Sequence, residues 1–234
     1  MLRLSCDHRV MPRPRRRQRP LLIAAEGLDG AGKSAQLDLL ARWLERRGRS
    51  VTVERWPPSE LVERAAATPR LRPALTARVA ALLSAAESAR RLDVDVRRPL
   101  EAGSVVLADR YVWTGVAREI ARGLDPDWVA SLYAFAPRPD IVMLFRQPLD
   151  AALANALQRR DSAVRNAAMS AAFGAFLERM IEAFDELVAG AGGRPRFGPW
   201  PVPVLEIDPS DHPDDLARVI RAAVRPLLAE VAAA

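Results

Sequence analysis

Cysteine is nearly absent: the one residue, Cys6, cannot form an intramolecular disulfide, and it leaves no cysteine-built metal centre. Histidine is almost as scarce. His8 and His212 lie far apart with no partner at metal-ligand spacing, so zinc has no ligand set. Neither a Ser/His/Asp nor a Cys/His hydrolase arrangement is present, and there is no internal repeat. The sequence also lacks any apolar run of about 18 residues, the length a bilayer-spanning helix needs. Its first residues have no apolar core of the signal-peptide kind. These absences predict a cytoplasmic protein without a membrane partner.

What is present suits one compact domain. The 234 residues are 50% hydrophobic and 27% charged, ordinary for a globular chain with a full-sized core. The formal charge of +6 would suit a polyanion, but arginine is spread throughout an Ala- and Arg-rich sequence, so compositional bias accounts for it and no nucleic-acid partner is predicted. The sharpest basic cluster, PRPRRRQRP at 12–20, has nothing apolar to bury. Residues 1–19 therefore read as a disordered basic arm ahead of a domain over 20–234.

From residue 21 short apolar runs alternate with helical stretches. Candidate strands are 21–25, 50–54, 104–108, 140–145 and 202–207, each near-continuously apolar, as strands covered on both faces are. Between them, 33–48 carries Leu37, Leu40 and Leu44 at helical spacing, and 169–189 carries Phe173, Phe176, Met180 and Phe184. The alternation predicts an α/β fold with a parallel sheet and helices on both faces, whose ligands bind at the carboxyl ends of the strands.

The loop after the first run, Gly27-Leu28-Asp29-Gly30-Ala31-Gly32-Lys33-Ser34, matches G-x-x-x-x-G-K-[ST] between a strand and a helix. Glycines let the backbone wrap a phosphate chain, successive N–H groups favour anions, Lys33 neutralises β/γ oxygens and Ser34 ligates Mg²⁺. The predicted ligand is a nucleoside triphosphate. Glu26 and Asp29 add acids beside the loop; Asp29 either serves the site or only satisfies turn amides. The run at 104–108 leads into Asp109 and Arg110. An aspartate there holds a metal or orients the attacking oxygen, and the arginine clamps a phosphate.

With these pieces the chain resembles the thymidylate kinase family of P-loop nucleoside monophosphate kinases. The likeness lies in EGLDGAGKSAQ (26–36), RWPP (55–58), ADRYVWTGVA (108–117), RGLDPDW (122–128), PRPDIVMLF (137–145) and VLEIDPSD (204–211), and covers roughly 20–230. It implies a three-layer P-loop NTPase fold with a five-stranded parallel sheet, helices on both faces and a short lid near 155–168. It implies transfer of the ATP γ-phosphoryl to a pyrimidine deoxynucleoside monophosphate, dTMP to dTDP, with Mg²⁺, and a homodimer. Lys33 and the loop amides would hold the donor, Asp29 the acceptor sugar, Arg110 the acceptor phosphate and Asp109 the metal water or acceptor oxygen. Gly115 would lie beside the acceptor, and Trp56 either against it or simply in the core. Arg159, Arg160 and Arg165 fall at the lid; the family supplies positive charge either from an arginine within the loop or from the lid, and the glycine at position 30 points to the lid. Asp208, Pro209 and Ser210 would meet the adenine; alternatively Ser210 or Asp211 caps the last helix.

The resemblance departs from the family in the acceptor half. Leu83 or Ser84 stands where the family has a base-stacking Phe and Ser88 where it has a base-reading Arg, with Arg90 and Arg91 just beyond. Arg118 replaces an aromatic residue near the sugar, Arg146 an acid after the fourth strand, and no arginine follows RWPP. The reading predicts that Arg90 or Arg91 swings in to read thymine. The alternatives are a kinase for another or modified pyrimidine nucleotide, and a nucleotide-binding regulatory protein without turnover.

Overall fold

A computed structural model describes residues 19–159, 167–189 and 202–229. Five strands, β1 (Leu21–Gly27), β2 (Val51–Arg55), β3 (Val105–Asp109), β4 (Ile141–Phe145) and β5 (Val204–Ile207), form one sheet in the order β2-β3-β1-β4-β5. All pairs are parallel. The expected strands are all there, with β1 running two residues further to bring Gly27 to the sheet edge and β5 starting later, just past Pro203, which has no N–H to give a ladder.

The helices are α1 (Lys33–Glu45), α2 (Glu60–Ala67), α3 (Ala77–Arg91), α4 (Arg98–Glu101), α5 (Val112–Ala121), α6 (Pro126–Leu132), α7 (Leu149–Arg159), α8 (Ala167–Ala189) and α9 (Pro213–Ala229). A π-helical stretch, Leu92–Arg97, joins α3 to α4, where Pro99 cannot donate back into the ladder. The sequence reading assigns nothing to 60–67; α2 forms there because Ser59 accepts a hydrogen bond from Val62 N at 3.3 Å and acids fill the first turn.

Alternation along the central strands divides the core in two. Leu21, Ile23 and Ala25 face α1 and α9 with Leu37, Leu40, Leu44, Ile220 and Val224. Leu22 and Ala24 face the other layer, with Val116 and Ala117 of α5 and Leu177, Met180 and Leu187 of α8. β1 and β3 are buried throughout, so their carboxyl ends are held from both faces. No helix among the described residues is long and apolar enough to cross a membrane. The expected basic arm, apart from Arg19, lies outside the described residues, as does 160–166 of the expected lid.

Candidate active site

β1 ends in a turn that only glycine can make. At Gly27 (φ 124°) a Cβ would sit 2.4 Å from the Phe145 carbonyl oxygen of β4. At Gly30 (φ 88°) a Cβ would meet Asn155 of α7, with Nδ2 at 2.6 Å and Cβ at 2.7 Å. Position 30 is thus closed to a larger side chain by α7. Gly32, left-handed, is the N-cap of α1, the end at which the helix dipole favours anions. Lys33 is the only lysine in a chain that otherwise uses arginine. Its Nζ donates to Leu28 O at 2.5 Å, so it lies folded over its own loop.

The neighbouring strand delivers the second acid. Asp109 pairs with Ala25 in the sheet register, and the Ser34 hydroxyl of α1 donates to its Oδ2. Two hard oxygens side by side suit a magnesium ion whose shell phosphates and water complete, and no all-protein cage of His, Cys, Asp or Glu is gathered among the described residues. Arg110 follows in a left-handed conformation (φ 72°), costly for a residue with a side chain and held by its N–H donating to Ala25 O at 2.9 Å. That twist turns its guanidinium back over the loop, where it donates to Gly27 O at 3.2 Å and pairs with Asp29.

Glu26 is fully buried and fixes the start of the helix that follows Arg110. Its carboxylate accepts from Trp113 N at 2.8 Å, Thr114 N at 3.1 Å and Thr114 Oγ1, and so caps the start of α5, whose own cap residue Tyr111 makes no side-chain capping bond and instead donates its hydroxyl to Pro137 O at 2.8 Å. Burial pushes the Glu26 carboxyl up, against those hydrogen bonds and the Arg110 charge.

Beyond Arg110 opens a second cleft between α2, α3, α5 and α8. On one side Trp56 lies 5.3 Å from Tyr111, ring centre to ring centre, at 51°. Glu87 of α3, buried, accepts from Ser59 Oγ and Arg91 Nη2, both at 2.6 Å. Burial pushes its carboxyl up, but the Ser59 and Leu61 N–H bonds and the Arg91 charge outweigh that and hold it below the usual range. On the other side, α5 presents Thr114, Gly115 and Arg118 across from Ser84 and Ser88. Tyr133 closes the end, its hydroxyl 3.1 Å from where a Cβ on Gly115 would lie; burial pushes its pKa up to about 12. The cleft continues past Arg118 into a 320 Å³ space walled by Phe173, Phe176 and Met180.

Most expected residues meet here: the loop from Gly27 to Ser34, Asp109 and Arg110, with Trp56, Ser88 and Gly115 around the second cleft. Trp56 lines the cleft and also packs on the core, so its two readings are compatible. Arg90 is exposed and is not part of the cleft wall, while Arg91 reaches the wall but is bound to Glu87 and to Pro57 O at 3.3 Å. Arg160 and Arg165 lie outside the described residues, and Arg159 is described only as the backbone end of α7. Asp208 and Ser210 are exposed beside α1, to which Gln36 ties their loop by donating to Pro213 O at 2.9 Å. Neither Ser210 nor Asp211 caps α9. The helix starts at Pro213, His212 Nδ1 accepts from Asp214 N at 3.3 Å, and Asp208 instead accepts from Ser210 N at 2.9 Å. The capping by Glu26 and the Ser59–Glu87–Arg91 chain escape the sequence reading; only the i,i+4 spacing of Glu87 and Arg91 hints at the second.

A glycine-built loop at a helix N-terminus and an arginine beside it on one sheet edge fit the class of P-loop nucleoside monophosphate kinases. The sequence comparisons narrow it. Residues 25–194 match the family model for thymidylate kinase. The thymidylate kinase of Clavibacter michiganensis is 36% identical over 222 residues, 92% of this chain and 99% of that one. The probable thymidylate kinase of Thermococcus kodakarensis is 39% identical over 138 residues and probable thymidylate kinase 2 of Saccharolobus solfataricus 38% over 135, covering 55% and 58% of this chain. The matches span about two thirds of those archaeal relatives, 67% and 63%. The chain belongs to the thymidylate kinase family.

Proposed function

We propose that this chain transfers the γ-phosphoryl group of ATP to the 5′-phosphate of dTMP, giving ADP and dTDP. An acceptor phosphate oxygen attacks the γ-phosphorus, and the bond to the β–γ bridging oxygen breaks as ADP leaves. Such a reaction needs positioning and charge more than covalent chemistry. In this reading Lys33 and the amides of Gly30, Ala31 and Gly32 hold the donor phosphates, and Lys33 leaves Leu28 O to do so. Ser34 and Asp109 would hold Mg²⁺, which when bound neutralises phosphate oxygens. Arg110 exchanges Asp29 for the acceptor phosphate, freeing Asp29 for the sugar. Trp56 flanks the acceptor nucleotide.

Further parts rest on the same reading. Asp208 and Ser210 flank the adenine, and Arg159, Arg160 and Arg165 belong to a lid over about 155–168 within a single domain from residue 20. A second copy of the chain covers α2 and α3, where Leu61, Val79 and Leu82 are exposed, and the enzyme works in the cytoplasm. The observation that carries the reading is the convergence of Ser34, Asp109 and Arg110 at the mouth of the second cleft. The test is label transfer from ATP carrying ³²P at the γ position, with Mg²⁺ and dTMP. Label in dTDP, lost in Lys33→Ala, supports the assignment; label in inorganic phosphate alone contradicts it.

A further inference from the structure

Arg118 is a cation that the transfer machinery does not use. It lies on α5 with its guanidinium in the wall shared by both parts of the second cleft. It has no hydrogen-bond or ion-pair partner among the described residues. Its neighbouring carboxylate, Glu119, is fully buried and accepts from Arg122 Nη1 with both oxygens, at 2.8 and 3.0 Å, so that acid is taken. Burial and then the Arg122 charge draw the Arg118 pKa down. A guanidinium half-buried in a cleft wall without a partner loses part of its hydration, and a ligand that supplies acceptors makes that loss good.

The ligand's orientation follows from the helix. Arg110 marks the phosphate end, beside Gly27 O and Asp29. Thr114 and Arg118 follow at four-residue spacing along one face. Arg110 Nη1 reaches Thr114 Oγ1 at 3.5 Å, and Arg118 follows one turn further, about 6 Å along the axis at 1.5 Å per residue. A nucleoside monophosphate with its phosphate on Arg110 and its base towards Ser84 and Ser88 would bring the edge of that base within reach of the Arg118 side chain. The groups facing Arg118 there, Ser84 and Ser88 on α3 and Tyr133 at the end, carry no charge at neutral pH, so the guanidinium is the only cation not already held by an acid in that part of the wall.

We propose that Arg118 is the base-reading residue of the acceptor site, donating to a carbonyl on the edge of the pyrimidine and so selecting thymine or uracil over cytosine. The inference rests on the kinase reading above and moves base recognition from α3 to α5. A guanidinium has only donors. Thymine and uracil offer it a carbonyl oxygen at C4, whereas cytosine presents an amino group there and leaves the donors unmatched.

The experiment compares wild type, Arg118→Met and Arg118→Gln in calorimetric binding of dTMP, dCMP and 2-deoxyribose 5-phosphate, with turnover of the two nucleotides and melting temperatures alongside. The expected result is that dTMP affinity falls roughly 10- to 100-fold in Arg118→Met, the worth of hydrogen bonds to a charged group. Affinity for dCMP and for the sugar phosphate stays within about 2-fold, as does the KM for ATP, and the dTMP preference collapses. Arg118→Gln, which keeps an amide donor, retains part of the preference. An unchanged dTMP-to-dCMP affinity ratio in a folded Arg118→Met overturns the proposal. So does an equal loss for all three ligands, which would make Arg118 a phosphate contact. A wild type that turns over neither nucleotide overturns the kinase reading instead, while the binding ratio still decides Arg118.

Discussion

The two ends of the site are built in different ways. The proposed donor end is one contiguous loop, residues 27–34, whose backbone is fixed by glycine geometry. The proposed acceptor end is assembled from side chains on the β2–α2 loop, α3, the start and body of α5 and the α6–β4 segment, brought together only by the fold. The first kind of site tolerates almost no sequence change. The second tolerates exchange of individual readers as long as the cleft survives, and here Ser84 and Ser88 face an arginine on the opposite helix.

The contrast breaks most visibly at Lys33. Lys33→Ala should lower turnover with dTMP on the order of 10³-fold or more, as removal of a cation on the migrating phosphoryl does. Its melting temperature should stay within a few degrees, because the hydrogen bond from its Nζ to Leu28 O ties the lysine to its own loop. Next comes Asp109→Asn, which keeps a partner for Ser34 but removes the charge: a loss on the order of 10²-fold in kcat, with the KM for dTMP nearly unchanged. Both variants strike the shared centre and should spare base preference.

Gly30→Ala should cost stability rather than chemistry alone. The positive φ and the clash with Asn155 together predict about 1–3 kcal/mol, read by denaturant unfolding, with weakened ATP binding. The smallest effect belongs to the acceptor wall. Glu87 has a folded-state pKa below its ordinary 4.5, so it contributes stability at pH values above 4.5 that is lost as pH falls through the lower folded value. Glu87→Gln should therefore be less stable than wild type by about 1 kcal/mol at pH 7. The gap should close as unfolding is repeated towards pH 3, and a gap independent of pH would show that Glu87 acts by shape alone.

The same contrast decides what could be read in the sequence. The phosphate loop is legible because its determinants are adjacent, and the strands because burial on both faces leaves apolar runs, as with Leu21 to Ala25. Asp109 and Arg110 are legible as a strand end. Side chains that meet through tertiary packing leave no local signal. Glu26 looks like one more acid by the loop but caps a helix that begins at Val112. Arg118 shows only as a departure from a family pattern, since nothing in its neighbours tells that Arg122 takes Glu119 from it. The shift of the α9 cap to His212 follows from Pro213, which is favoured at the first helical position and fixes the start of the helix one residue later than the Ser-Asp pair suggests.

The central claim is a thymidylate kinase with a conventional donor loop and base recognition from α5. It is tested most directly by offering the enzyme an equimolar mixture of dTMP, dCMP and UMP with γ-³²P-labelled ATP and Mg²⁺, and measuring how label divides among the products at early times. The division reports relative kcat/KM. The account predicts most of the label in dTDP and little in dCDP. Label chiefly in dCDP, or only in inorganic phosphate, would contradict it.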